Sequence, residues 1–91
     1  MILEIVTPEA TLFNGNVESV AVPGVNGEFQ ILENHAPIVS LLGEGTIKIK
    51  GNVTIKEEFK AKFTKADGAT ILPINSGTIE MNDNKVIILA D

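Results

Sequence analysis

Hydrophobic residues recur at every second position along most of this chain. The pattern is clearest in residues 46–50 and 58–64, where apolar side chains alternate with Lys, Glu or Thr. A period of two is typical of a strand with one buried face, so both segments are predicted to be half-buried antiparallel strands. Residues 86–89 are continuously apolar, which predicts a strand buried on both faces.

Turn-forming residues separate these segments. Asp67-Gly68 lies between two apolar stretches, and the Asn-Asp-Asn run at 82–84 lies between two strand patterns, so each position predicts a turn. No long helical period, internal repeat or low-complexity linker is present. The pattern therefore predicts an all-β fold, an antiparallel β-sandwich or flattened barrel of about ten short strands.

The composition limits the possible folds and functions of the chain but does not identify its family. The 91 residues predict one domain spanning residues 1–91, and 44% hydrophobic content with only 4% aromatic content predicts an aliphatic core. A net charge of −5 and the lack of arginine argue against nucleic-acid binding. Residues 50–66 are rich in lysine, and their strand-like alternation with acids favours a solvated face. No apolar run approaches the length of a membrane span, and the start of the chain, Met1 to Glu4, lacks the basic region and the apolar segment of a signal peptide. We therefore expect a soluble, unexported protein.

Candidate catalytic chemistry is scarce. His35 is the only histidine, cysteine is lacking, and no serine lies in a Gly-flanked nucleophile motif. Gly43-Glu44-Gly45 lacks the spacing of a phosphate-binding loop. We therefore expect no enzyme activity, cofactor, metal or nucleotide site. His35 is expected to hydrogen-bond the backbone in the turn before Pro37.

The most informative block is residues 22–41, VPGVNGEFQILENHAPIVSL. It combines two turn signals (PG and NG), the histidine and two apolar runs, and Phe29, Ile31 and Leu32 are predicted to point inward. The block resembles the amino-terminal domain of the epsilon subunits of bacterial F-type rotary ATP synthases, which read roughly PG, GEFGIL and HAP. The resemblance extends to the opening IVTPE, to GTIKI after the block, and to the closing LAD at 89–91.

Some positions depart from that family. Gln30 replaces the usual glycine of GEFGIL, Glu33 stands where proline is common, and Thr78 stands where the family often has a second glycine. Residues 50–76 resemble the family least, and we expect an extended hairpin there with residues 56–65 outermost. The family's carboxy-terminal helical hairpin is not present in residues 1–91. Either the protein is a naturally short form or the sequence is truncated, and we expect the first.

The resemblance implies a noncatalytic rotor subunit of the central stalk, which bridges the gamma subunit and the membrane c-ring to couple proton transport to ATP synthesis. It implies a peripheral location on the cytoplasmic face of the bacterial inner membrane, with no direct lipid insertion. Thr7, His35 and Ser40 match family positions on the gamma side. Glu28 matches the segment that approaches the c-ring.

A second hypothesis remains open: a free-standing β-sandwich that binds a protein or a carbohydrate. Sugar-binding surfaces rely on exposed Trp and Tyr, and this chain has neither. A small hydrolase would need a nucleophile and a base that the sequence does not offer. An exposed apolar strip on one sheet would favour the subunit hypothesis over both.

Overall fold

Ten short strands and one 3-10 helix make up most of the chain. A computed structural model describes residues 1–91, and the 3-10 helix is Glu57–Lys62. The strands are β1 (Ile2–Val6), β2 (Thr11–Asn16), β3 (Ser19–Gly24), β4 (Gly27–Leu32), β5 (Ile38–Leu42), β6 (Gly45–Lys50), β7 (Thr64–Ala66), β8 (Ala69–Ile74), β9 (Gly77–Asn82) and β10 (Lys85–Ala90). The all-β prediction of about ten strands is confirmed.

The strands form one curled sheet that bends into two halves. The first half has the order β2-β1-β10-β9-β5, and the second has β4-β3-β6-β8-β7. The halves join where Gly24 of β3 pairs with Leu42 of β5, and the Gly43 N–H donates to the Pro23 carbonyl over 2.8 Å. Every pair is antiparallel except β1 with β10, which is parallel. This bend lets the two inner faces enclose one core.

The core follows directly from the period of two. Alternate residues of neighbouring strands lie opposite one another, so inner side chains form continuous rows across the sheet. In the first half-sheet these rows are Leu3–Val86–Met81 and Ile5–Ile88–Ile79, all almost completely buried. Together with residues of the second half-sheet they form a cluster of 21 buried hydrophobic residues.

Positive backbone φ angles mark the tight turns. Asp83 and Asn84 have φ of 50° and 60° and join β9 to β10. Asp67 and Gly68, at 53° and 76°, join β7 to β8 in the same way. These left-handed conformations suit Asn, Asp and Gly, which is why both turns were predictable. The turn between β3 and β4 consists of Val25 and Asn26, two residues later than the PG signal, and Pro23 and Gly24 end the strand before it.

The prediction of a strand over residues 58–64 is wrong. Residues 57–62 form the 3-10 helix, in which the Phe59 N–H donates to the Lys56 carbonyl and the Phe63 N–H to the Lys60 carbonyl. Phe59 and Phe63 are four residues apart, so both a strand and a helix place them on one side. Between them lie Lys and Ala, which are good helix formers, with no β-branched residue. The hairpin in this region is therefore shorter than predicted and consists of β7 and β8. Residues 56–65 are not all outermost, because Phe63 is buried.

Two predictions of burial are also wrong. Residues 86–89 are not buried on both faces, because the outer face of β10 is uncovered and Leu89 is 52% exposed. Leu32 does not point inward, because it alternates with Ile31, whose side chain fills the core. In both cases a continuous apolar run hides which parity of the strand faces the core.

Ile88→Ala and Leu89→Ala test this assignment of faces within one strand. Ile88 is fully buried, so its truncation should lower the free energy of unfolding by about 2–5 kcal/mol. Leu89 lies on the outer face, and its truncation should cost less than about 1 kcal/mol. Urea unfolding of both variants measures the difference. Equal losses would contradict the assigned register.

Candidate partner interface

The outer face of the first half-sheet carries apolar side chains in solvent. Register places Leu41, Thr78, Leu89 and Val6 in one row across β5, β9, β10 and β1. Leu41 is 62% exposed, and Val39, one row further along β5, is 76% exposed. An uncovered apolar row of this kind is typical of a surface that binds a partner. We call these side chains, with Val39, the outer strip.

The outer strip continues into a groove at one end of the molecule. The groove has a volume of about 540 Å³ and shares Leu41, Leu89 and Val6 with the strip. Pro8 and Val25, from the β1–β2 and β3–β4 turns, extend its apolar lining. The strip and the groove therefore form one continuous apolar surface.

The charged residues in the turns at this end are all acidic. Glu9 follows Pro8 of the groove, Glu44 lies in the β5–β6 turn, and Asp91 lies in the groove itself. The turns at this end, residues 7–10, 25–26, 43–44 and 75–76, contain no lysine. A partner with basic groups around an apolar segment would complement this end in charge.

Glu28 lies near the same end, at the start of β4. Its carboxylate accepts a hydrogen bond from the Lys48 ammonium over 3.1 Å, and both side chains are largely exposed. Surface ion pairs of this kind contribute little to stability, so Glu28 can exchange Lys48 for a cation on a partner at small cost.

The three residues predicted on the gamma side do not form one cluster. Thr7 closes the β1–β2 turn, where its hydroxyl donates to the Ala10 carbonyl over 3.1 Å, and it borders the groove. His35 lies at the opposite end, in the β4–β5 loop, next to Asn34, whose N–H donates to Asn84. Ser40 lies between them in β5 and shares the inner parity with Leu42, so it does not belong to the outer strip. The structure brings none of these three side chains together.

His35 makes the backbone contact that the sequence suggested. Its Nδ1 lies 2.7 Å from the Ala36 carbonyl, and its side chain is exposed. That expected role in the turn before Pro37 is confirmed.

Sequence reasoning missed the residues that form the outer strip. Val39 and Leu41 are the immediate neighbours of Ser40, which was predicted as a contact with gamma. Leu89 belongs to residues 86–89, which were predicted to form a strand buried on both faces. A signal was present, because both β5 and β10 carry apolar residues at both parities. Only one parity of each strand can face a single core.

The loop that holds His35 is attached to the amino terminus. The amino group of Met1 donates to Glu33 Oε1 over 2.8 Å and to Asn16 Oδ1 over 3.1 Å. The hydrogen bond and positive charge of that amino group lower the pKa of Glu33 below its ordinary value of 4.5. This contact positions the loop relative to β1 and β2.

No group of three or more His, Cys, Asp or Glu side chains is placed to hold a metal ion. No helix is long and apolar enough to span a membrane. The exposed surface made of the outer strip and the groove has apolar area at its centre and carboxylates at its edge.

A scan of protein families finds a match to the family described as "ATP synthase, Delta/Epsilon chain, beta-sandwich domain", over residues 1–60. The chain belongs to this family. The matched residues extend from β1 to within the 3-10 helix, so they include the block at 22–41 and all of β5.

Curated relatives of the family match almost the whole chain. The ATP synthase epsilon chain of Campylobacter concisus is 43% identical over 89 residues, which are 98% of this chain and 59% of that protein. The epsilon chain of Chlorobaculum tepidum is 33% identical and aligns over 98% of this chain and 86% of its own length. The chain spans about three fifths of the length of most of the relatives it matches, as with the first of these.

A solved structure supports the same fold. A chain in the cryo-EM structure of the central stalk and c-ring of the Tetrahymena thermophila mitochondrial ATP synthase superimposes with a TM-score of 0.75. The match covers 99% of this chain and 62% of the other, at 16% sequence identity. At that identity the likeness concerns the fold.

The Glu33 contact predicts a pH dependence of stability. Since its pKa is lower in the folded state, the contact stabilises the fold at neutral pH and is lost as pH falls through the folded-state pKa. Glu33→Gln should therefore lower the melting temperature slightly at pH 7, and the difference from wild type should disappear at a pH well below 4.5. Thermal unfolding across this pH range measures it. Glu18→Gln, which removes an exposed carboxylate outside any ion pair, is the control, and a similar pH profile for both variants would contradict the assignment.

Proposed function

We propose that this chain is a noncatalytic epsilon-type subunit of an F-type ATP synthase and acts in the central stalk that couples proton transport to ATP synthesis. The proposal rests on the outer strip, a row of exposed apolar side chains. The chain that carries this strip belongs to the ATP synthase delta/epsilon family. Curated relatives that match almost the whole chain are ATP synthase epsilon chains, which supports the same role. In this role the chain lies peripherally on the cytoplasmic face of the bacterial inner membrane and is held by subunit contacts.

The outer strip is the surface we assign to the gamma subunit. Its centre is apolar and contains Val39, Leu41 and Leu89, while Glu80 and Thr78 of β9 supply polar groups between them. Interfaces commonly combine an apolar centre with such polar groups. Thr7 borders this surface at the groove, and His35 lies at its far end. In the proposal these two are peripheral contacts, and Ser40 supports the strand that presents Val39 and Leu41.

The acidic end is the surface we assign to the c-ring. Glu28 is its exposed carboxylate on β4, and Glu9 and Glu44 lie in turns at the same end. A carboxylate that is only weakly paired within the chain can bind a cation on another subunit, because breaking the internal ion pair costs little stability. The chain then bridges gamma and the c-ring with two adjoining surfaces.

A free-standing binding module remains the second candidate. The groove of about 540 Å³ is large enough for a small ligand, but its lining has neither Trp nor Tyr for stacking on a sugar. Recovery of the gamma subunit separates the two candidates.

The gamma assignment is tested by co-expression with a tagged gamma subunit of the same organism. The variant Val39→Glu with Leu41→Glu places two charges in the proposed apolar centre, so its recovery with gamma should fall at least about tenfold. Leu32→Glu is the control, because Leu32 is 56% exposed, close to the value for Leu41, but lies on β4 of the other half-sheet. Its recovery should equal that of wild type. Failure of the wild-type chain to bind gamma would refute the subunit function, and undiminished binding by the double variant would refute the surface.

The c-ring assignment is tested by binding of the gamma complex to detergent-solubilised c-ring. Glu28→Lys reverses the proposed contact charge, so the affinity should fall about tenfold, and the loss should be smaller at high salt. Glu18→Lys makes the same change of charge at the opposite end and should leave the affinity unchanged. Stability should change by less than about 1 kcal/mol, because the Glu28–Lys48 pair is exposed. Equal losses of affinity in both variants would indicate a general charge effect and reject Glu28.

A further inference from the structure

A second cavity lies apart from the outer strip, beneath the segment that connects β6 to β7. Its volume is about 430 Å³, within the range of small-molecule sites. Its apolar lining comes from Val53, Ile55 and Phe63. Lys60, Lys65 and the hydroxyl-bearing Thr70 also line it, and no carboxylate does.

Thr70 and Lys65 occupy unusual positions for polar residues. They are directly paired across β8 and β7, and Thr70 is also paired with Ile49 of β6, which is fully buried in the core. Directly paired residues share a face, so Thr70 and Lys65 lie on the inner face of the sheet. Thr70 is only 5% exposed as a residue, but its hydroxyl oxygen is not sealed in the core, because every fully buried side-chain polar atom of the protein has a hydrogen-bond partner and this hydroxyl has none. Because Thr70 lines the cavity, its hydroxyl opens into that space and is available to a ligand there.

The two lysines are also available. Lys65 forms no ion pair. Lys60 contacts Glu57 over 3.1 Å, but both side chains are exposed and such a pair holds its partners weakly. An inward lysine on an edge strand such as β7 also discourages edge-to-edge association. That role explains neither the free hydroxyl of Thr70 nor the apolar cavity beside it.

We propose that this cavity binds a small organic anion that has an apolar body and one carboxylate or phosphate group. Val53, Ile55 and Phe63 contact the apolar body, and the Thr70 hydroxyl and the Lys65 ammonium donate hydrogen bonds to the anionic oxygens. Hydrogen bonds from a cation to an anion are the strong ones, so Lys65 contributes most of the selectivity for charge. The site does not depend on the role in the central stalk, because it shares no residue with the outer strip or the groove.

The test is a titration of the ¹⁵N-labelled chain followed by NMR, with octanoate and octyl phosphate as probes. Octanol supplies the apolar body without the charge, and inorganic phosphate supplies the charge without the body. The two amphiphilic anions should shift the amide signals of Ile55, Phe63 and Thr70, and each should bind at least about tenfold more tightly than octanol or phosphate. No change of those signals up to about 10 mM of either anion would overturn the proposal.

Two variants locate the binding. Lys65→Gln and Thr70→Val should each weaken octanoate binding, the first by about tenfold. Lys62→Gln is the matched control, because it removes the same charge from the neighbouring 3-10 helix but does not line the cavity. An equal loss in Lys62→Gln would mean unspecific attraction of anions and would reject the site. Co-sedimentation with phosphatidylglycerol vesicles that Lys65→Gln abolishes would assign the site to a lipid headgroup and overturn the proposal of a free anion.

Discussion

The structure depends on one layer of aliphatic side chains enclosed between the two halves of its sheet. Trp, Tyr and Cys are lacking, so the only aromatic side chains in this layer are those of phenylalanine, and no disulfide reinforces it. Its stability comes from close packing of 21 buried residues, most of them Ile, Leu and Val. The rows Leu3–Val86–Met81 and Ile5–Ile88–Ile79 show how the layer also sets strand register. A slip of one residue in any of these strands would move its whole inner set into solvent.

The same register creates the outer strip. Once Ile88 and Leu42 are assigned to the core, Leu89 and Leu41 must face outward, because neighbouring side chains on a strand point to opposite faces. β5 and β10 carry more apolar residues than one core can accept. The surplus lies in solvent as the outer strip, and it adjoins an end whose turns carry acids and no lysine. A protein with no candidate catalytic cluster thereby acquires a surface suited to assembly.

Residues 51–66 cover one end of the core. They contribute Phe59 of the 3-10 helix, which packs against the core, and the buried Phe63, which lies between that helix and β7. The cover is incomplete, since it leaves a cavity with Thr70 and Lys65 on the inner face of the sheet.

The sequence by itself determined the fold class, most of the turns and the family. Asp67-Gly68 and Asp83-Asn84 were predictable because few residues tolerate positive φ, and residues 46–50 were predictable because their alternation permits only one buried face. The block at 22–41 identified the family by a long string of residues. Glu58 to Thr64 could not be assigned correctly, because two phenylalanines four residues apart satisfy a strand and a helix equally well. Only the tertiary structure decided which parity of β5 and β10 faces the core, and hence that Val39 and Leu41, not Ser40, form the exposed strip. Local sequence carries no information on that choice when both parities are apolar, since it depends on which neighbouring strands supply the other side of the core.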